Sequence, residues 1–94
     1  MREEEMRTVS LFKVLANPVR YKIIKLLADG EFTVADLANE TDRESQNISQ
    51  HMRILRQQNL VRHRTETNQV YYCLKRREIL KLLDLAKDFV KRRR

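Results

Sequence analysis

The sequence predicts a mainly α-helical single domain carrying one small β-hairpin, in the order α-α-α-α-β-β-α. Three observations carry that prediction. Apolar residues recur at three- and four-residue spacing along most of the chain, the period of an amphipathic helix. Two runs, Val61–Glu66 and Gln69–Leu74, are instead rich in β-formers and flank Thr67-Asn68, which reads as a hairpin. One glycine and one proline leave little room for long loops.

A first helix is expected over Met1–Leu15. Glu3, Glu4 and Glu5 stand in its first turn, where carboxylates favour the positive end of the helix dipole. Leu11, Phe12 and Leu15 follow at helical spacing and should pack inward. Asn17 can cap the next helix and Pro18 suits its first position. That helix is expected over Pro18–Ala28, with Ile23, Ile24 and Leu27 inside and Arg20, Lys22 and Lys25 off the stripe. Gly30 supplies the left-handed residue that commonly ends a helix. Thr33 caps a short third helix carrying Val34, Leu37 and Ala38, and Asn39–Arg43 makes a turn.

The fourth helix, Glu44–Gln58, is the most informative. Thr41 and Glu44 have capping-box spacing, which would start it early. A start near Glu44 is preferred, because the inward stripe begins at Ile48. At about 100° per residue, Ile48, Met52 and Leu55 fall within about 60° of one another. Gln46, Gln50, Arg53 and Gln57 lie opposite, flanked by Asn47 and Ser49. Ile54 lies off the core stripe and is expected to pack on a neighbouring element. Solvation alone favours Glu and Lys on an outer face, not amides. Amides bond bidentately to adenine edges, and arginine bonds to guanine or phosphate. This face therefore points to a polyanion.

After Asn59, a helix stop, the two strands form a hairpin. Asn68 tolerates the positive φ of a short turn, and Arg62, His63 and Arg64 make the first strand basic. The last helix is expected over Arg77–Lys91. Ile79, Leu83, Ala86 and Val90 form one apolar stripe, and Leu82, Leu85 and Phe89 a second. Together they are wider than one small domain covers, so the helix should pack on its own domain and on a twin. Lys91 to Arg94 suit a helix C-terminus.

Bulk properties agree. Ninety-four residues make one domain. A domain of this size buries roughly 60–65% of its unfolded surface, so its core is small and leans on a partner subunit. The net charge of +7 and pI of about 10.0 point to an anionic partner, nucleic acid ahead of membrane. One cysteine rules out an internal disulfide framework and fits a reducing cytoplasm. No apolar run approaches the roughly 18 residues of a membrane span, and no signal-peptide layout is present. There is no glycine-rich phosphate loop, no paired histidine and nucleophile, and no metal cage. No enzymatic activity, catalytic residue, cofactor or structural metal is expected. Cys73 reads as a small buried hydrophobe, and His63 as a surface residue of the hairpin.

The ordered set of ANPVR, ISQHMRIL, NLV and VYY, within Leu11–Leu74, closely resembles the ArsR family of winged helix-turn-helix repressors. The resemblance implies a homodimer joined through the first and last helices, with Leu11, Ile79, Leu82, Leu83, Leu85, Ala86, Phe89 and Val90 at the interface. It implies double-stranded DNA as partner, a palindromic operator and a cytoplasmic, nucleoid-associated location. By resemblance, Ser45, Gln46, Asn47 and Gln50 read bases. Ser49, His51 and Arg53 sit nearer the backbone, and Arg62 and Arg64 place the wing on flanking phosphate or in the minor groove.

The chain departs from the family in several places. Arg43 and Glu44 replace the usual leucine and serine, and the tip Thr65–Asn68 lacks the common basic-glycine pair. Thr33 and Ala35 stand where relatives carry a metal-sensing Cys-x-Cys. Asp84 and Asp88 lack the histidine that completes a zinc site in others. Two further readings stay open: a protein-interaction module using the broad apolar last helix, and non-specific DNA coating by the +7 charge.

Overall fold

In the computed structural model, which describes residues 2–92, the inward stripes of the helices close on one core beside the base of a hairpin. The elements are α1 (Glu3–Leu15), α2 (Pro18–Leu27), α3 (Val34–Thr41), α4 (Ser45–Gln57), β1 (Val61–Glu66), β2 (Gln69–Leu74) and α5 (Ile79–Lys91). The expected order holds, with helix ends moved by one or two residues. Met1 and the basic residues Arg93 and Arg94 lie outside the described residues.

Local side-chain chemistry sets the starts of α2 and α3. The Asn17 Oδ1 accepts from the backbone N–H groups of Val19 (2.9 Å) and Arg20 (3.1 Å), two of the donors that a helix start leaves free. At α3 the Thr33 hydroxyl and the Asp36 carboxylate exchange bonds with each other's backbone N–H, both at 3.0 Å. This reciprocal box fixes where the helix-turn-helix begins.

The turn lies later than Asn39–Arg43. α3 continues through Thr41 and stops at Asp42, whose φ is 55°. The Arg43 N–H then reaches the Ala38 carbonyl at 3.0 Å, closing a Schellman cap. The Thr41 hydroxyl donates back to the Leu37 carbonyl at 2.7 Å, so it takes no part in starting α4, which begins after Glu44 as preferred. α4 ends the same way. Asn59 has φ 59°, and the Leu60 N–H reaches the Leu55 carbonyl at 3.0 Å. Asp and Asn thus fill left-handed positions that glycine more often takes. Gly30 does not end α2: the helix stops at Leu27, and Gly30, φ 136°, bends the following connection.

Ile23, Ile24 and Leu27 of α2, Leu37 of α3, and Ile48, Met52 and Leu55 of α4 are fully buried. Leu15, Leu60, Val61, Leu74, Ile79 and Leu83 enclose them. Ile79 and Leu83, expected at a subunit interface, therefore belong to the chain's own core. Ala86 and Val90, expected on the same stripe, are exposed, because α5 runs past the core after Leu83. Phe12, expected inside, is 52% exposed, while Leu15 one turn later is buried; only the C-terminal end of α1 reaches the core. Cys73 is half-buried, not buried.

β1 and β2 pair antiparallel from Val61↔Leu74 to Glu66↔Gln69. Thr67 and Asn68 both have positive φ, 50° and 64°, as a two-residue type I′ turn requires. Phe32 adds a bridge to the hairpin: its N–H donates to the Tyr72 carbonyl (3.0 Å) and its carbonyl accepts from the Tyr72 N–H (2.8 Å). The hairpin is thereby tied to the chain just before α3.

A β-branched Thr67 in a left-handed position is strained by roughly 1 kcal/mol or more. Replacing Thr67-Asn68 with Asn-Gly should raise stability by about 1 kcal/mol, read as a higher urea midpoint with an unchanged slope. A lower midpoint would contradict the turn geometry.

Candidate nucleic-acid interface

α4 carries its polar residues on the side away from the core. Ser45, Gln46, Ser49, Gln50, Arg53 and Gln57 are exposed, above the buried Ile48, Met52 and Leu55. The buried arc is wider on one shoulder. Asn47, His51 and Ile54, which share a flank about 60–120° from Ile48, are all half-buried. Ile54 thus packs as expected, but Asn47 is drawn inward: its Oδ1 is buried and accepts no hydrogen bond. A helical wheel treats the core as centred on the stripe, whereas α2 and α3 crowd α4 from one side. The freely presented amides are those of Gln46, Gln50 and Gln57.

His51 is fixed from α2. The Arg20 Nε donates to the Val14 carbonyl at 2.7 Å, and its Nη1 lies 3.2 Å from the His51 Nδ1. Arginine only donates, so Nδ1 is the acceptor and the imidazole proton sits on Nε2. Partial burial, then the charges of Arg20 and Arg43, hold the His51 pKa below its ordinary 6.5. Arg20 and Arg43 thus add positive charge beside the outer face of α4. The sequence presents Arg20 only as a residue off the core stripe and Arg43 only as a departure from a family pattern; no periodicity marks either as part of this surface.

The wing differs from expectation. Strand alternation sets Arg62, Arg64 and Glu66 on one face, opposite Cys73, Tyr71 and Gln69. Instead of projecting toward a phosphate, Arg64 forms a fork–fork pair with Glu31: Nε to Oε2 and Nη2 to Oε1, both 2.9 Å. Its Nη1 also donates to Glu66, and its guanidinium lies 4.8 Å from the centroid of the Tyr71 ring. The hydrogen bond from Arg64, opposed by desolvation, holds the Glu31 carboxyl below its ordinary 4.5. Arg62 donates from Nε to the Cys73 Sγ at 3.4 Å. Two arginines and two glutamates cancel here, so the wing face is neutral. Glu31 stands 33 residues from Arg64, and no local pattern could have joined them.

A second surface lies on α1 and α5. Met6 (57%), Phe12 (52%), Leu85 (68%), Phe89 (71%) and Val90 (60%) are largely exposed. Leu11 and Leu82 are half-buried at the edge of the core. They help line an open groove of about 560 Å³ between the two helices. The Gln58 Nε2 donates to the Ser10 Oγ at 2.9 Å, linking the end of α4 to α1.

Of the four positions that the sequence compares with metal-ligand positions, Thr33 and Asp84 make other contacts. The Thr33 hydroxyl caps α3, and Asp84 lies 3.7 Å from the Lys25 Nζ. Among the described residues no three His, Cys, Asp or Glu side chains group as a metal site. Among the described residues no helix is long and apolar enough to cross a membrane.

Comparison with known proteins adds four findings. A helix-turn-helix domain family model matches residues 15–64. The transcriptional activator HlyU of Vibrio cholerae is 32% identical over 85 residues, covering 90% of this chain and 79% of that protein. The crystal structure of Rv0081 from Mycobacterium tuberculosis superposes with a TM-score of 0.89 at 29% identity, over 98% of this chain and 93% of that one. A solution structure from Mycobacterium bovis, Mb0332, superposes with a TM-score of 0.80 at 28% identity, covering 90% and 79%. It is described as a homodimeric winged helix-turn-helix DNA-binding domain and a possible ArsR-family regulator.

The partial burial of His51, aided by the charges of Arg20 and Arg43, makes stability depend on pH with a definite sign. Above about pH 6.5 the imidazole is neutral in folded and unfolded chains alike. As pH falls through that value the unfolded chain takes the proton first, so stability declines until pH passes the lower folded value. Replacing His51 by Gln should remove this part of the decline. Urea midpoints of the two chains between pH 7.5 and 5 would show it as a gap that changes just below pH 6.5.

Proposed function

The chain belongs to the ArsR family of winged helix-turn-helix transcriptional regulators, and from that membership we propose that it is a homodimeric repressor of a palindromic operator. The observation that carries the proposal is the outer face of α4. Gln46, Ser49, Gln50 and Arg53 are exposed directly above a fully buried stripe, so their backbone is held rigidly while their side chains stay free.

Placed in a major groove, Gln46 and Gln50 offer the paired donor and acceptor that match an adenine edge. Ser45 and Asn47 stand beside them as base readers, Asn47 reaching less far from its half-buried shoulder. Ser49, His51 and Arg53 serve the sugar-phosphate backbone. The neutral His51, with its proton on Nε2, donates to a phosphate without carrying charge. Arg20 and Arg43 supply charge next to it. Arg62, whose η nitrogens form no hydrogen bond among the described residues, is the wing residue suited to flanking phosphate.

One such helix makes too few contacts to single out an operator. The exposed apolar faces of α1 and α5 support pairing with a second copy. Fully burying one large apolar side chain contributes roughly 1.5–3 kcal/mol, so five of them offset much of the cost of association. In such a dimer the two copies of α4 enter successive grooves about 34–36 Å apart. The hydrogen bond from Gln58 to Ser10 supports rigid transmission of this spacing. The repressor acts in the cytoplasm, and no catalytic step enters its function. The neutral wing argues against general coating of DNA by charge.

Against an operator enriched from random duplexes, Gln50→Ala should cost about 1–3 kcal/mol of binding and little on unrelated DNA. Arg53→Ala should weaken both and flatten the salt dependence. Equal losses for Gln50→Ala on both duplexes would remove base reading from α4. Phe89→Asp should give a folded monomer by sedimentation, with operator affinity reduced far more than that of Gln50→Ala; a persisting dimer would move the interface elsewhere.

A further inference from the structure

We propose that Glu31 is a specificity-determining residue: it holds Arg64 in a two-bond ion pair and so withholds a wing cation from the DNA backbone. The inference rests on the DNA-binding reading above and concerns how the wing contributes to it.

Three constraints hold Arg64 in place. Glu31 engages Nε and Nη2 together, at 2.9 Å each. Glu66 takes Nη1, and the Tyr71 ring lies against the guanidinium plane at 4.8 Å. Arg64 has five N–H donors in a fixed fork, and both edges of that fork are engaged. Glu31 is itself anchored, because the next residue, Phe32, makes two backbone hydrogen bonds to Tyr72 on β2. The carboxylate is thereby delivered to the wing at a fixed position. A phosphate competing for Arg64 would have to break two charge-assisted bonds already formed within the chain.

The charge balance gives this pairing a consequence. Each cation that neutralises a phosphate releases counterions and adds affinity without regard to sequence. Glu31 and Glu66 both bond Arg64, so of the two wing arginines Arg62 alone is left to supply that term. Discrimination then rests on the α4 face. Removing one carboxylate should turn the wing into the general phosphate clamp that its sequence, with arginines at 62 and 64, first implies.

The test is the salt dependence of binding, measured on an operator duplex and on an unrelated one. Glu31→Gln keeps the shape of the side chain and removes its charge. It should steepen the log–log salt slope by about 0.9, the value for one added phosphate contact. Affinity for unrelated DNA should rise several-fold, and the ratio between the duplexes should fall. Arg64→Ala alone should leave the slope unchanged, although two uncovered carboxylates lower affinity. The double variant should return to the original slope. A slope flattened by about 0.9 in Arg64→Ala would mean that Arg64 already neutralises a phosphate, and would overturn the proposal; so would an unchanged slope in Glu31→Gln. The Arg64→Ala reading stands even where Glu31→Gln folds poorly. If the unaltered chain binds no duplex at low salt, the proposed function falls and this inference with it. Binding that persists with either contrary slope overturns this inference alone.

Discussion

The packing of Ile48, Met52 and Leu55 against α2 and α3 is the contact on which the rest of the molecule depends. All three side chains are without solvent exposure. Replacing any one with alanine would cost on the order of 2–5 kcal/mol, a large share of what a small domain possesses. That packing also sets the rotation of α4 about its axis. A turn of one residue, about 100°, would carry Gln50 to a flank and put Arg53 against protein. The same burial that stabilises the fold therefore decides which side chains meet a partner.

The caps at either end of the helix-turn-helix make that rotation unique. Asp42 and Asn59 take left-handed backbone conformations and close Schellman bonds, ending α3 and α4 sharply. Glycine would reach the same conformations more easily, but it would also enlarge the conformational freedom of the unfolded chain. With a single glycine in the sequence, the turns draw on short polar side chains that tolerate positive φ. The hairpin turn extends this habit to Thr67, where the backbone is least suited to it.

Charge is distributed less evenly than the net value of +7 implies. On the wing, Arg64 is paired with both Glu31 and Glu66. Beside α4, Arg20, Arg43 and Arg53 keep their charge near a neutral imidazole. Exposed ion pairs add little to stability as a rule. The Arg64–Glu31 pair has better geometry than most, being two-pronged and backed by an aromatic face. Its larger effect is on what the wing can offer to an anion.

The apolar periodicity of α2 and α4, the Asn17-Pro18 punctuation and the β-rich runs on either side of Thr67-Asn68 determined the fold by themselves, because these signals act over a few residues. The same local reasoning placed Gln46 and Gln50 outward and a helix at each end of the described chain. Where it misjudged a side chain's exposure or partner, the cause was long-range. Ile79 and Leu83 share a stripe with Ala86 and Val90, yet only the first two meet the core, since the body of the domain ends beneath Leu83. Asn47 sits at the edge of the wheel, and only the one-sided approach of α2 and α3 turned it inward. Arg64 reads as a free cation until Phe32 brings Glu31 to it across the fold. Sequence period reports which face of an element is apolar. Which stretch of that face is covered, and which charges find each other, depends on neighbours that only the tertiary structure brings together.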